Sequence, residues 1–263
     1  MSKFGFGRDK ISPLSSATED YLKAIYQLST SASAVTTSAL AHEMGVSAAS
    51  ATNMMKKLAE LKLVRHSPYR GVTLTRTGEK MALEIVRHHR LLELFLNEAL
   101  GIPWDQVHEE AHKLEHVLSD NLEDHIAEFL GHPTQDPHGD PIPSKNGAIA
   151  ETIERRLGDL PPGSRATIRR VSDQSPEHLR HFSDLGLVPR AGILIVRREP
   201  FGGPFRVQVE RGEELVLDAA LAREIWVETS GRPERHKPLE AKNPARHPHG
   251  SQQELAHANH RRI

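Results

Sequence analysis

The sequence predicts a mainly α protein with two small β parts, laid out in successive pieces. Three observations lead there. Residues 18–61 alternate helix-spaced apolar positions with a Gly-containing turn and run into a hairpin pattern. Residues 79–116 carry two further helical patterns, the second studded with metal-ligating side chain types. From Leu160 the chain changes to short β-like runs divided by Gly and Pro. The pieces are a winged helix-turn-helix at 1–76, a helical domain at 77–146, a linker and small β-barrel at 147–230, and a polar tail at 231–263.

In the first piece, Thr18 is placed to cap a helix whose Tyr21, Leu22, Ile25, Tyr26 and Leu28 follow helical spacing, and the Ser/Thr/Ala-rich stretch 29–36 ends it. Leu40, Ala41 and Met44 mark a short second helix. Gly45-Val46-Ser47 supplies a tight turn with Val46 as its apolar plug, and Ser47 caps a third helix running to about Leu61. Residues 63–66 and 72–75 then read as strands around Ser67-Pro68-Tyr69-Arg70-Gly71, a hairpin tip that forms the wing. In this motif the start of the third helix enters the major groove, which makes Ser47, Ala49, Ser50, Thr52 and Asn53 the candidate base readers. Small side chains let the backbone approach DNA, Asn53 can pair with a base edge, and alanine methyls can meet thymine. Lys56, Lys57, Tyr69 and Arg70 would add phosphate contacts. Helix-start hydroxyls also serve as plain caps, and helix-turn-helix modules also bind proteins. Charge favours DNA: residues 1–78 hold 10 Lys and Arg against 5 Asp and Glu, a balance of +5, whereas residues 79–146 hold 5 against 14, a balance of −9. A basic head on an acidic, cation-binding body is the reading.

In the second piece a long amphipathic helix carries Met81, Ile85, Leu92, Phe95, Leu96 and Leu100 and stops near Gly101-Ile102-Pro103. Its apolar surface exceeds what so short a domain can bury, which predicts a subunit interface. The next helix starts near Trp104 and places His108, His112, Glu115 and His116 within an arc of roughly 100°, as a divalent metal site requires. A solvated charged face is the bland alternative. His108-Glu109-Glu110-Ala111-His112 also matches H-E-x-x-H, the helix of zinc proteases in which Glu is the base, yet no third-ligand motif of that kind follows. His89 and Glu93 stand one turn apart on the preceding helix, as further ligands or as an ordinary exposed pair. Asp136 to Pro143 is a rigid loop that alone would read as a Pro/Gly turn.

The β-like runs of the third piece are 166–168, 192–196, 205–209 and 224–227, with a short helix expected within 150–160. After about Ser230 the chain is polar and Pro-rich, with five histidines and no apolar periodicity, which predicts a disordered tail. The chain has no cysteine, so a metal must be held by oxygen and imidazole nitrogen. No apolar run approaches the ~20 residues of a spanning helix, and residues 1–20 lack a signal-peptide core, which predicts a cytoplasmic protein.

Taken in order, Thr18-Glu19-Asp20-Tyr21-Leu22, Arg87-His88-His89-Arg90-Leu91, Val107 to His116, His138-Gly139-Asp140-Pro141-Ile142-Pro143 and Asp184-Leu185-Gly186-Leu187-Val188-Pro189 resemble the diphtheria-toxin-repressor family of iron- and manganese-dependent transcriptional regulators. The resemblance covers about 14–229 and implies an SH3-like C-terminal domain, a homodimer and a double-stranded, palindromic DNA operator. It implies a regulatory metal site of Asp20, His112, Glu115 and His116, and another drawing on Glu93, Asp136, His138 and Asp173 with His89 and His108 nearby. Hard oxygen and imidazole lean to Mn²⁺, with Fe²⁺ the alternative. Lys23 stands where some manganese regulators place a second acidic ligand, which argues against a closely spaced binuclear site. The metal is expected to act as corepressor for metal-homeostasis genes and to do no chemistry; without it, Asp20 and Glu115 are expected to repel and free the heads. A zinc hydrolase and a metal-storage or scaffold protein are the competing classes.

Overall fold

The computed structural model describes residues 14–30, 32–67, 70–150, 152–172 and 175–229. The expected Tyr69, Asp173 and the tail fall outside the described residues. Helices α1 (Ser16–Ser29), α2 (Thr37–Glu43) and α3 (Ala48–Glu60) precede a hairpin of β1 (Val64–Ser67) and β2 (Gly71–Leu74), the expected winged helix-turn-helix. Hydroxyl caps set the helix starts: Ser15, Thr36 and Ser47 accept the backbone N–H of Thr18, Ala39 and Ser50. Two expectations are corrected here. Ser15 caps α1, one turn earlier than Thr18, because the first helical turn begins at Ser16; Thr18 is buried in that turn with its hydroxyl against Ser15. Val46 is no plug, being 37% exposed, and the core beneath the turn is filled by Leu40, Leu22, Ile25 and Met55.

The wing is anchored where Val35 and Val72 exchange both backbone hydrogen bonds at 2.9 Å. Gly71 at φ +96° makes that approach: a Cβ there would lie 2.1 Å from the Val35 carbonyl oxygen.

Thr75 caps α4 (Arg76–Leu100), a 25-residue helix that packs on α1 and so joins the head to the body. α5 (Val107–Leu114) and α6 (Asp120–Phe129) pack on its far half around Leu91, Leu92, Leu96, Val107, Ala111 and Ile126. Leu114, Val117, Leu122 and Phe129 remain exposed on α5, α6 and their connection.

The last part is an antiparallel six-stranded sheet with the order β3-β8-β4-β5-β6-β7, built from β3 (Arg155–Arg156), β4 (Arg165–Val171), β5 (Gly192–Arg198), β6 (Phe205–Val209), β7 (Glu214–Leu217) and β8 (Ile225–Thr229). α7 (Pro176–Asp184) and the one-turn α8 (Leu221–Glu224) cover its core of Ile168, Phe182, Ile195, Phe205 and Val227. The expected helix within 150–160 is only a 3₁₀ turn at Leu157–Asp159 preceded by β3. The 135–141 loop is tied to this sheet, since the Val171 N–H donates to the His138 carbonyl at 3.0 Å.

Candidate metal centre and DNA-binding head

α1 presents Asp20 to the end of α5, where His112, Glu115 and His116 project together. Asp20 Oδ1 lies 2.9 Å from His116 Nε2 and 3.9 Å from His112 Nδ1, and Glu115 Oε1 lies 2.9 Å from His112 Nδ1. Glu115 and His116 are past the last turn of α5, with Glu115 as its C-cap. The four side chains thus offer two carboxylates and two imidazoles whose ligand atoms all lie within 4.8 Å of one another.

Glu19 decides how His116 is used, and sequence reasoning did not single it out. Its Oε2 accepts from His116 Nδ1 at 2.7 Å, which fixes the N–H on that side and leaves the Nε2 lone pair facing Asp20. A lone pair opposite a carboxylate oxygen at 2.9 Å is unfavourable without a cation between them. Consistently, Asp20 Oδ1 and His116 Nε2 are buried and make no hydrogen bond among the described residues. The donor set therefore fits a divalent ion.

Lys23, one turn beyond Asp20, adds a feature that the sequence only hinted at. Its ammonium donates to both Glu115 oxygens at 2.8 Å and sits 3.2 Å from His89 Nδ1. Burial alone would push the Glu115 carboxyl up, but the bonds from His89 and Lys23 outweigh it and hold the group at about 2. The expected repulsion between Asp20 and Glu115 is accordingly corrected: Lys23 carries the countercharge to Glu115 and itself ties the head to the body. Lys23→Met should raise divalent-ion affinity at the Asp20 site about tenfold, since it frees Glu115 oxygens and removes a nearby positive charge at a cost typical of one charge-assisted hydrogen bond. Isothermal titration calorimetry with Mn²⁺ measures this, and metal-free Lys23→Met should melt lower because Glu115 loses its partner.

His108 departs from the four-ligand arc. It turns to α4, with Nδ1 3.1 Å from Glu93 Oε1 and 3.1 Å from His89 Nε2, while His89 Nε2 is 2.9 Å from Glu93 Oε1. The two histidines of the H-E-x-x-H pattern therefore belong to different clusters, and Glu109 is exposed outside both. The helical projection fails here because His108 is drawn to the α4 carboxylate, which the projection of one helix cannot include.

Glu93 also serves a third group, with Asp136 and His138 from the loop. His138 Nε2 donates to the Trp104 carbonyl at 2.8 Å and its ring stacks on that of Trp104, so Nδ1 is left as an acceptor 3.8 Å from both Glu93 Oε2 and Asp136 Oδ1. All three side chains are buried, and Glu93 Oε2, Asp136 Oδ2 and His138 Nδ1 make no hydrogen bond among the described residues. Burial pushes the Asp136 carboxyl well up, reinforced by Asp140 and Glu93. Burial acts upward on Glu93 as well, but His89 and His108 outweigh it and keep that carboxyl low.

On the head, Ala49, Ser50, Asn53, Lys56, Lys57 and Arg70 are exposed. Ser47 is occupied as the cap of α3, and the Thr52 hydroxyl donates to its own helix at the Ala48 carbonyl, 2.7 Å. These two are turned to the backbone, and Lys57 Nζ is 3.5 Å from Thr18 Oγ1.

Residues 13–72 match the iron dependent repressor N-terminal DNA binding domain, residues 75–144 the iron dependent repressor metal binding and dimerisation domain, and residues 155–229 the FeoA domain. The chain belongs to the diphtheria toxin repressor family. Among its relatives is the iron-dependent repressor IdeR of Mycobacterium tuberculosis, 30% identical over 226 residues that cover 80% of this chain and 96% of that protein. A solved manganese-dependent transcriptional repressor in complex with manganese is 40% identical, with a TM-score of 0.75, covering 81% of this chain and 100% of that one. ScaR with bound Cd²⁺ is 32% identical, with a TM-score of 0.69, over 80% of this chain and 98% of that one. Family membership gives the chain a DNA-binding domain, a dimerisation domain and a divalent-metal requirement, and lends no support to the hydrolase class. Among the described residues, no helix is long and apolar enough to cross a membrane.

Proposed function

We propose that this protein is a metal-dependent transcriptional repressor that acts as a homodimer on a palindromic operator, with Mn²⁺ as corepressor and Fe²⁺ as the alternative. The observation that carries it is Asp20: a ligand-type carboxylate on the DNA-binding head set 2.9 Å from a lone pair of the helical body. A bound divalent cation supplies positive charge and directional bonds there, and no redox or hydrolytic step. Asp20 moves with α1, and α1 packs on α2 and α3, so holding its carboxylate against His112, Glu115 and His116 fixes where α3 points. Ala49, Ser50 and Asn53 would then face base edges, with Lys56, Lys57 and Arg70 on phosphates, and Ser47 and Thr52 contributing as the helix start itself.

The exposed Leu114, Val117, Leu122 and Phe129 form the surface on which a second copy would sit, setting the two heads to major grooves about 34 Å apart. Glu93, Asp136 and His138, with Asp173, would form the second site, and His89 and His108 would flank Glu93. Manganese is favoured because oxygen and imidazole ligands without sulfur suit it, and because the 40% identical solved relative is named for manganese. A chromosomal repressor works in the cytoplasm, and domain limits at 76, 146 and 230 suit the division of labour. The test is a gel-shift titration of promoter fragments with Mn²⁺, Fe²⁺ and chelator. Retarded bands that need Mn²⁺ or Fe²⁺ and vanish on chelation are the expected result. Retention indifferent to chelation would leave a DNA-binding protein without a metal switch.

A further inference from the structure

A fourth group of metal-ligating side chains shares no residue with the clusters above. Glu84 and His88 are one turn apart on α4, and Asp120 is the first residue of α6; one ligand atom from each lies within 4.8 Å of the others. His88 is completely buried and its ring is oriented by the protein: Nδ1 faces the backbone carbonyl of Glu115 at 3.4 Å. That contact assigns the N–H to Nδ1 and leaves the Nε2 lone pair aimed at the α6 carboxylates, where it makes no hydrogen bond among the described residues. Glu123 Oε2 lies 3.4 Å from it, so two acceptors again face one another. Glu123 already accepts a hydrogen bond from Arg87 Nε. Glu84 and Asp120 bring two more carboxylates close to the same imidazole.

We propose that Glu84, His88 and Asp120 form an additional binding site for a first-row divalent cation, separate from the Asp20 and Glu93 clusters. One imidazole nitrogen and two carboxylate oxygens are a ligand set for Mn²⁺ or Zn²⁺, with water completing the shell through the open side at the exposed Asp120. The site pins the start of α6 to the middle of α4. It also braces, through the His88 ring, the carbonyl of Glu115, whose side chain belongs to the Asp20 cluster. An ion here stiffens the element that carries the exposed Leu122 and Phe129 and does not touch the DNA-binding head.

The site stands apart from the proposed switch, and its test keeps the two separate. The full-length chain, stripped with chelator, is dialysed against Mn²⁺ alone and in parallel against Zn²⁺ alone, and bound metal per chain is counted by plasma mass spectrometry. The Glu84→Gln/Asp120→Asn double variant should bind one ion fewer per chain than wild type with at least one of the two metals. Asp20→Ala should lose its own ion and keep this one. An unchanged ion count in the double variant would overturn the proposal and leave His88 as an imidazolium held by carboxylates. Should the double variant not fold, anomalous scattering from wild-type crystals grown with Mn²⁺ and with Zn²⁺ decides: a peak beside His88 Nε2 with either metal supports the site, and none with both refutes it.

Discussion

Replacing Asp20 with alanine should remove the metal dependence of operator binding while leaving the protein folded. Asp20 is partly exposed, and its Oδ1 makes no hydrogen bond among the described residues, so its loss opens no packed cavity and leaves no buried charge unpaired. What it removes is the head's share of the bridging cluster: His112, Glu115 and His116 stay on the body. A coupling of about 1–3 kcal/mol between two binding events corresponds to a roughly 5- to 150-fold change in affinity, and that is the Mn²⁺-induced gain expected for wild type and absent in Asp20→Ala. Fluorescence anisotropy of a labelled operator, with and without Mn²⁺, reads it. Glu115→Ala is a poorer probe. It would strip Lys23 of both its oxygens and leave a buried ammonium, a change that costs about 3–5 kcal/mol and mixes misfolding with loss of the switch.

Gly139→Ala should be the most disruptive single-methyl change around the second cluster. Gly139 has φ +90°, and a Cβ there would lie 1.9 Å from the Arg169 carbonyl oxygen and 2.8 Å from the Arg170 Cα, both backbone atoms of β4. The loop must withdraw from the sheet, which breaks the Val171-to-His138 hydrogen bond and moves Asp136 and His138 away from Glu93. Strain of this kind, with the lost contacts, costs about 3 kcal/mol or more. Differential scanning calorimetry should show a lower melting temperature, and metal analysis should show loss of the ion assigned to Glu93, Asp136 and His138. Mn²⁺-dependent operator binding through Asp20 should persist, weakened; its complete loss would mean that the two clusters act as one.

The head was legible from sequence because its signals are local: helix-spaced Tyr21, Leu22 and Ile25, a hydroxyl cap at Ser47, Gly45 in the turn and a Pro/Gly hairpin tip. Competing local signals produced the misplaced details. Ser15, Ser16 and Thr18 can all cap, and Val46 is apolar enough to suggest a plug although the turn leaves it in solvent. Family resemblance, more than spacing, joined Asp20 to the 112–116 residues, which the structure brings together across 92 or more positions of sequence. Lys23 on Glu115 and Glu19 on His116 were missed as partners because a charge in a sequence does not disclose which distant group it meets. The division of His108 from His112 was hidden for the same reason: α5 supplies both, but α4 and α1 claim one each. β3 and β7 are too short to stand out between Gly and Pro turns, and the nine-residue α7 buries only Leu179 and Phe182 in an otherwise polar stretch.

Metal and operator that reinforce one another through Asp20 must do so equally in both directions, by thermodynamic linkage. The Mn²⁺ affinity of the full-length protein is measured by calorimetry with and without saturating operator. Operator should tighten Mn²⁺ binding by the same factor by which Mn²⁺ tightens operator binding, and Asp20→Ala should bring both factors to one. An Mn²⁺ affinity in wild type that operator leaves unchanged would contradict that coupling.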